Sequence, residues 1–222
     1  FLISMMRWLL LSAFWLVAGP LAAQAPVVLA GRVSKPTADS IHLRWHPQPL
    51  DYKEQIVSAR LGAKGDFQLQ VPLSAPVLAE LSYGDAEVSV FLEPGDALQL
   101  KFKGDDLNTS LRFQSADGAA HKAAAAANNY LAESENKFAN NEGFQVLPEN
   151  IELYEAPFIS FLDYRRKQQL KEYKSAGGVG AFTPTFAAFA EAEINYLYAN
   201  DRLTYPELRE QVVSTGSRLQ LT

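Results

Sequence analysis

The sequence contains no cysteine and only three histidines in 222 residues. Without a thiol the chain can form no disulfide, no thiolate metal site and no cysteine nucleophile. It also lacks a G-x-S-x-G nucleophile elbow, and no serine or threonine sits in a recognisable triad context. Gly177-Gly178-Val179-Gly180 lacks the Lys-Ser/Thr pair of a phosphate loop and follows a helical pattern, so it is expected to be a flexible linker between helices. Basic residues are not in excess. The net charge is −5, and setting aside Arg7, the single charge before Pro26, lowers it to −6. An acidic chain of this kind is a poor match for nucleic acid.

What is present begins with an export signal. Met5-Met6-Arg7 is followed by the apolar run Trp8 to Val17, then Gly19-Pro20 and the small residues Leu21-Ala22-Ala23-Gln24-Ala25. This is the order of a positively charged start, a short apolar segment and an A-x-A cleavage site. The run is shorter than the roughly 20 residues that cross a bilayer, so no membrane span is expected after cleavage. Cleavage near Ala25 removes 25 of 222 residues, leaves 197, and implies a periplasmic or cell-envelope location. Translation is expected to start at Met5 or Met6, with Phe1 to Ser4 set aside as upstream residues or a fragment boundary.

From Val27 to about Gln114 the apolar residues alternate with polar ones, as in Ile41-His42-Leu43-Arg44-Trp45-His46, Phe67 to Val71 and Leu98 to Lys103. Period-two alternation places one face in a core and the other in water. Further strands are expected at Val27 to Val33, Gln55 to Leu61, Val77 to Tyr83, Glu87 to Leu92 and Ser110 to Phe113. Gly62 to Asp66, Tyr83-Gly84-Asp85 and Glu93-Pro94-Gly95-Asp96 punctuate them, the last suiting a type II turn. After Asp117-Gly118 the period becomes helical. Helices are expected at Ala119 to Asn140, from Pro157 to about Lys174, and from a Thr183-Pro184 cap with apolar contacts through Tyr198, with a further helical start from Glu207. A loop is expected from Asn141 to Asn150 and a polar break at Ser214 to Ser217. Strands followed by helices predict an α+β protein: residues 26–116 as an antiparallel β-sandwich or barrel-like domain, and 117–222 as a helical region of about three helices.

Candidate chemistry is sparse. His42 and His46 have a metal-ligand spacing on a helix, but on a strand four residues span roughly 13 Å and the rings cannot share one ion. His121 stands alone. Asp105-Asp106, Glu133 with Glu135, and Glu191 with Glu193 are carboxylate pairs whose members do not share a helix face. The stretch Arg165 to Lys174 carries Arg165, Arg166, Lys167, Lys171 and Lys174, read as a solvated helix with cations near its C-terminal dipole, each stabilising by about 0.3 to 1 kcal/mol. No catalytic, cofactor-binding or metal-binding residue is assigned from the sequence, and no cofactor is expected.

One resemblance is carried by Gly65-Asp66-Phe67, by Phe91-Leu92-Glu93-Pro94-Gly95-Asp96 leading into Leu98-Gln99-Leu100, by Asn129-Tyr130-Leu131, and by Phe186 to Leu203 followed by Tyr205-Pro206. Together these resemble the N-terminal region of exported thioredoxin-like proteins of Bacteroidota, in the broad TlpA-like thiol-disulfide oxidoreductase group. In that group the redox chemistry belongs to a C-terminal thioredoxin fold with a C-x-x-C pair. This chain has no cysteine, so no catalytic residue carries over. The resemblance implies a non-catalytic accessory region for docking or substrate presentation, truncated before the redox domain, with exported proteins or peptides as partners. The alternative expectation is a stand-alone periplasmic or surface ligand-binding protein.

Overall fold

Alternation along the chain becomes eight strands in the computed structural model, which describes residues 26–48, 53–118, 121–139 and 141–219. The expected export signal lies outside the described residues. The strands are β1 (Val27–Ser34), β2 (Ser40–Trp45), β3 (Gln55–Arg60), β4 (Asp66–Val71), β5 (Val77–Tyr83), β6 (Ala86–Leu92), β7 (Ala97–Lys103) and β8 (Arg112–Ser115). They form two four-stranded sheets, ordered β4-β1-β7-β8 and β3-β2-β5-β6. In β4 the residues Phe67, Leu69 and Val71 are buried while Asp66, Gln68 and Gln70 are exposed. Leu29, Leu69 and Leu100 from one sheet and Ile41, Leu43 and Leu81 from the other belong to a single buried cluster. This is the expected sandwich, with one departure. β1 pairs with β7 in parallel, from Val28 opposite Ala97 to Ser34 opposite Lys103. Alternation reports which face of a strand is buried and is silent about the direction of its neighbour.

Two turns follow from local chemistry. The Asp96 N–H donates to the Glu93 carbonyl at 3.0 Å and Gly95 has φ +89°, the left-handed position that a Pro-Gly type II turn requires. Gly84, at φ +58°, opens the two-residue loop between paired Tyr83 and Ala86. The last strand departs from expectation. Residues Leu107–Ser110 form one helical turn, α1, because Asp106 caps it by accepting from the Thr109 N–H at 3.1 Å. The strand is displaced to Arg112–Ser115.

The helical region consists of α2 (Lys122–Phe138), α3 (Glu155–Ser175) and α4 (Pro184–Leu219). Within the expected loop 141–150, residues Glu142–Phe144 make a 3-10 turn, and the Phe144 ring lies 5.0 Å from Phe138 and 6.0 Å from Tyr164. The expected glycine linker is an ordered turn: Gly177 adopts φ +105° and donates to the Lys174 carbonyl at 3.1 Å. Thr183 caps α4, its hydroxyl accepting from the Phe186 N–H at 3.2 Å. α3 and α4 run antiparallel: Phe158, near the start of α3, stacks on Tyr205 at 4.2 Å, and Tyr173, near its end, donates to the Ala187 carbonyl at 3.4 Å.

The helical start expected at Glu207 is the continuation of α4, which does not break at Ser214 to Ser217 but runs through Pro206 to Leu219. Proline removes one hydrogen bond from a helix interior and tends to end it. Here the residue before it is anchored from outside, since Tyr205 stacks on Phe158 and its hydroxyl donates to the Leu153 carbonyl at 2.7 Å. Tertiary contact outweighs the local signal.

Two features join the sandwich to the helices. Ala124 and Ala125 of α2 belong to the sandwich core, while Phe91 of β6 belongs to the helical core with Tyr130, Phe186 and Ile194. Phe91 points to the outer face of its sheet, 5.2 Å from the Phe186 ring and 5.0 Å from that of Phe189. α2 also satisfies both sheet edges that it covers. Asn128 accepts from the Phe91 N–H and donates to the Phe91 carbonyl, both at 2.8 Å, and Asn129 does the same for Phe113 of β8, both at 2.9 Å.

Candidate functional site

Two groups of polar side chains are assembled by this fold. The first surrounds His121. The Pro94-Gly95 turn presents Asp96 towards the start of α2, where His121 Nδ1 lies 3.7 Å from Asp96 Oδ1 and His121 Nε2 lies 3.5 Å from Asp117 Oδ2. Asp96 is 7% exposed, and its second oxygen accepts from the Glu93 N–H at 2.8 Å. Burial raises the Asp96 carboxyl above the usual aspartate range and the Glu93 charge adds to this, while the Glu93 N–H bond and His121 oppose it. The Thr183 hydroxyl donates to Glu93 Oε2, tying the same turn to the start of α4. The sequence leaves His121 isolated from Asp96, which comes from a turn 25 residues earlier, although Asp117 stands only four residues before it. Each of these groups has a partner within the protein, so the cluster fastens the turn to two helix starts.

The second group lines a cavity of about 250 Å³ between the outer face of the β3-β2-β5-β6 sheet and α2, α3 and α4. Tyr130 and Phe138 of α2, with Phe186, Phe189 and Ile194 of α4, form its apolar wall. Arg165 and Gln169, one turn apart on α3, contribute its polar side together with Glu135 and Glu193. Gln169 is only 6% exposed and has no hydrogen-bond partner among the described residues. The Arg165 Nη1 donates to Asp201 Oδ2 at 2.7 Å, while its Nε is buried without a partner. Burial raises the Asp201 carboxyl more than the Arg165 charge lowers it. At the floor, Glu135 accepts a long bond from the Ser89 N–H at 3.4 Å.

Other residues singled out by the sequence are accounted for elsewhere. His42 lies between Ser58 Oγ at 2.7 Å and Ser40 Oγ at 3.1 Å on the outer face of its sheet, and His46 is exposed. Among the described residues no three His, Asp or Glu side chains are arranged to hold a metal ion. Asp106 caps α1, and hydrogen bonds from Thr109 hold its carboxyl below the usual range. Glu135 and Glu193, one from each of two candidate pairs, meet at the cavity; Glu133 and Glu191 do not line it. The basic stretch divides: Arg165 turns inward to Asp201, and Arg166 donates to Asn195 Oδ1 and lies 4.9 Å from the Tyr198 ring. Lys167, Lys171 and Lys174 edge a shallow outer depression.

Gln169 is the residue that the sequence reading misses. A signal was available, because Phe158, Leu162, Gln169 and Tyr173 are the buried positions of α3, and a glutamine interrupts that face. No helix is long and apolar enough to cross a membrane among the described residues. No protein-family model matches this chain, and comparison with curated proteins and with solved structures finds no similar protein.

Proposed function

We propose that this chain is a non-catalytic binding unit of an exported thioredoxin-like protein, serving to dock or present a polypeptide. The sequence motifs support the family, and the lack of cysteine supports a role without thiol chemistry of its own. One observation carries the binding role: a cavity with an aromatic wall is lined by Gln169, which is only 6% exposed and has no hydrogen-bond partner among the described residues. An incoming ligand can pair with this amide, and a typical hydrogen bond contributes about 0.5 to 1.5 kcal/mol net. Apolar pockets with a few convergent polar groups are the usual form of a ligand site.

The small volume of the cavity favours a second reading, a stand-alone periplasmic or surface ligand-binding protein that takes a compact molecule. Both readings are tested by titrating the purified chain with apolar peptides and small molecules while following backbone amide resonances and the melting temperature. Shifts centred on Arg165, Gln169 and Phe189 with a raised Tm are expected. Peptides binding more tightly than small molecules favours presentation, and the reverse favours the stand-alone protein. If no compound perturbs α3, both readings fall.

A further inference from the structure

We infer that the Gln169 cavity recognises an uncharged amide carried on an apolar or aromatic body; this rests on the binding role proposed above. The charges at the cavity decide against an anion. Arg165 is the one cationic side chain among the lining residues, and its charge is already met by Asp201 at 2.7 Å. Glu135 and Glu193 line the same space. A carboxylate entering it would face two like charges with no free cation, at a distance where such repulsion is only partly screened.

The unpartnered groups fit an amide. A glutamine side chain offers one carbonyl acceptor and an NH2 donor, which together match the N–H and C=O of another amide. The same protein makes this pairing twice, where Asn128 meets the Phe91 peptide at 2.8 Å and Asn129 meets the Phe113 peptide at 2.9 Å. Gln169 presents the same functional group to the cavity. Opposite it, the rings of Tyr130 and Phe189 offer edges and faces to a flat apolar body. A volume of about 250 Å³ is that of roughly eight liquid-like waters, enough for a benzyl group with its amide.

Such a group has two sources: a free small-molecule amide, or an aromatic side chain with its neighbouring peptide unit in an extended polypeptide. The experiment is calorimetric titration of the purified chain with 3-phenylpropanamide, 3-phenylpropanoate and 2-phenylethylamine, with a phenylalanine-centred, end-capped pentapeptide as a fourth arm. The amide is expected to bind at least ten-fold more tightly than the carboxylate. Gln169→Met, of similar length and without the polar pair, is expected to lose at least ten-fold in amide affinity while raising Tm. The raised Tm shows that lost binding is not lost folding. Tighter binding of the pentapeptide than of the free amide identifies a polypeptide as the source; the reverse identifies a small molecule.

If the carboxylate or the amine binds best, with resonance shifts on α3, the amide assignment is overturned and the binding role stands. Undiminished amide binding in Gln169→Met also overturns it. If neither these four probes nor the broader titration perturbs α3, the binding role falls with it. Ammonia released from the amide would remove the non-catalytic part of the proposed function and leave the recognition intact.

Discussion

Asn128 and Asn129, adjacent on α2, hold the edge strands of opposite sheets: one pairs with the Phe91 peptide of β6, the other with the Phe113 peptide of β8. Successive helix residues point about 100° apart, so one turn can serve two sheets whose edges converge. A strand edge presents unpaired N–H and C=O groups that invite pairing with other chains. Here two side chains occupy that role at these positions.

Replacing Asn128 by alanine should cost about 2 to 4 kcal/mol, because Asn128 is fully buried and two backbone groups of Phe91 would be left without partners. Asn129→Ala should cost less, since Asn129 is only half-buried and water can reach the Phe113 groups. Urea unfolding of the two variants measures the difference; equal or reversed costs would contradict the assignment.

Phe91→Ala should separate the two cores. It removes a ring that contacts Phe186 and Phe189 and leaves the inward-facing Val88, Val90 and Leu92 in place. A loss of about 3 to 5 kcal/mol is expected for a buried phenylalanine. Hydrogen exchange should show α3 and α4 opening first while β1 and β7 keep their protection. Uniform loss across both parts would mean that the cores are one cooperative unit.

Gly31 lies in β1 between β4 and β7. A Cβ there would stand 2.2 Å from the Leu100 carbonyl oxygen and 3.0 Å from the Phe67 ring. The obstacle is backbone, which cannot swing aside. Gly31→Ala should therefore destabilise by about 1 to 3 kcal/mol or more, read from the urea midpoint. A variant as stable as the parent would show that β1 and β7 are not paired in this register.

Asp96 gives a pH dependence. Its carboxyl is raised by burial, so the folded state binds the proton more tightly than the unfolded state does. Its contribution to stability is full below the ordinary aspartate pKa of about 3.9 and is lost as the pH rises through the raised value. Asp96→Asn keeps an acceptor for the Glu93 N–H and removes the buried charge. The variant should match the parent at pH 3 and become the more stable of the two as the pH rises towards 7. A parent that remains more stable at pH 7 would mean that the His121 contact outweighs burial.

Much of the fold was legible in the sequence because the sandwich and the helices bury single faces with clear periods. Alternation in Phe67 to Val71 and the Pro94-Gly95 signal both describe local geometry, and local geometry is what they produced. Pro206 misled because its neighbour Tyr205 is held by Phe158 and Leu153, residues roughly 50 positions away. The cavity was hidden for a related reason. Gln169 looks like one more polar residue in a charged stretch, and only the meeting of α2, α3 and α4 turns it inward and leaves it without a partner. His121 gains Asp96 in the same way, whereas Asp117 stands only four residues before it in the chain.

The parallel pairing of β1 with β7 also sets an order of events. Val28 is made first and must wait for Ala97, about 70 residues later, before the middle of its sheet can close. Loop closure over such a span has to precede any reward from the contact, which slows folding. The β5-β6 hairpin, closed by two residues at Gly84-Asp85, has no such delay and is suited to form early. While it waits, β1 is an apolar segment without its neighbour, the kind of strand that aggregates when synthesis outpaces closure.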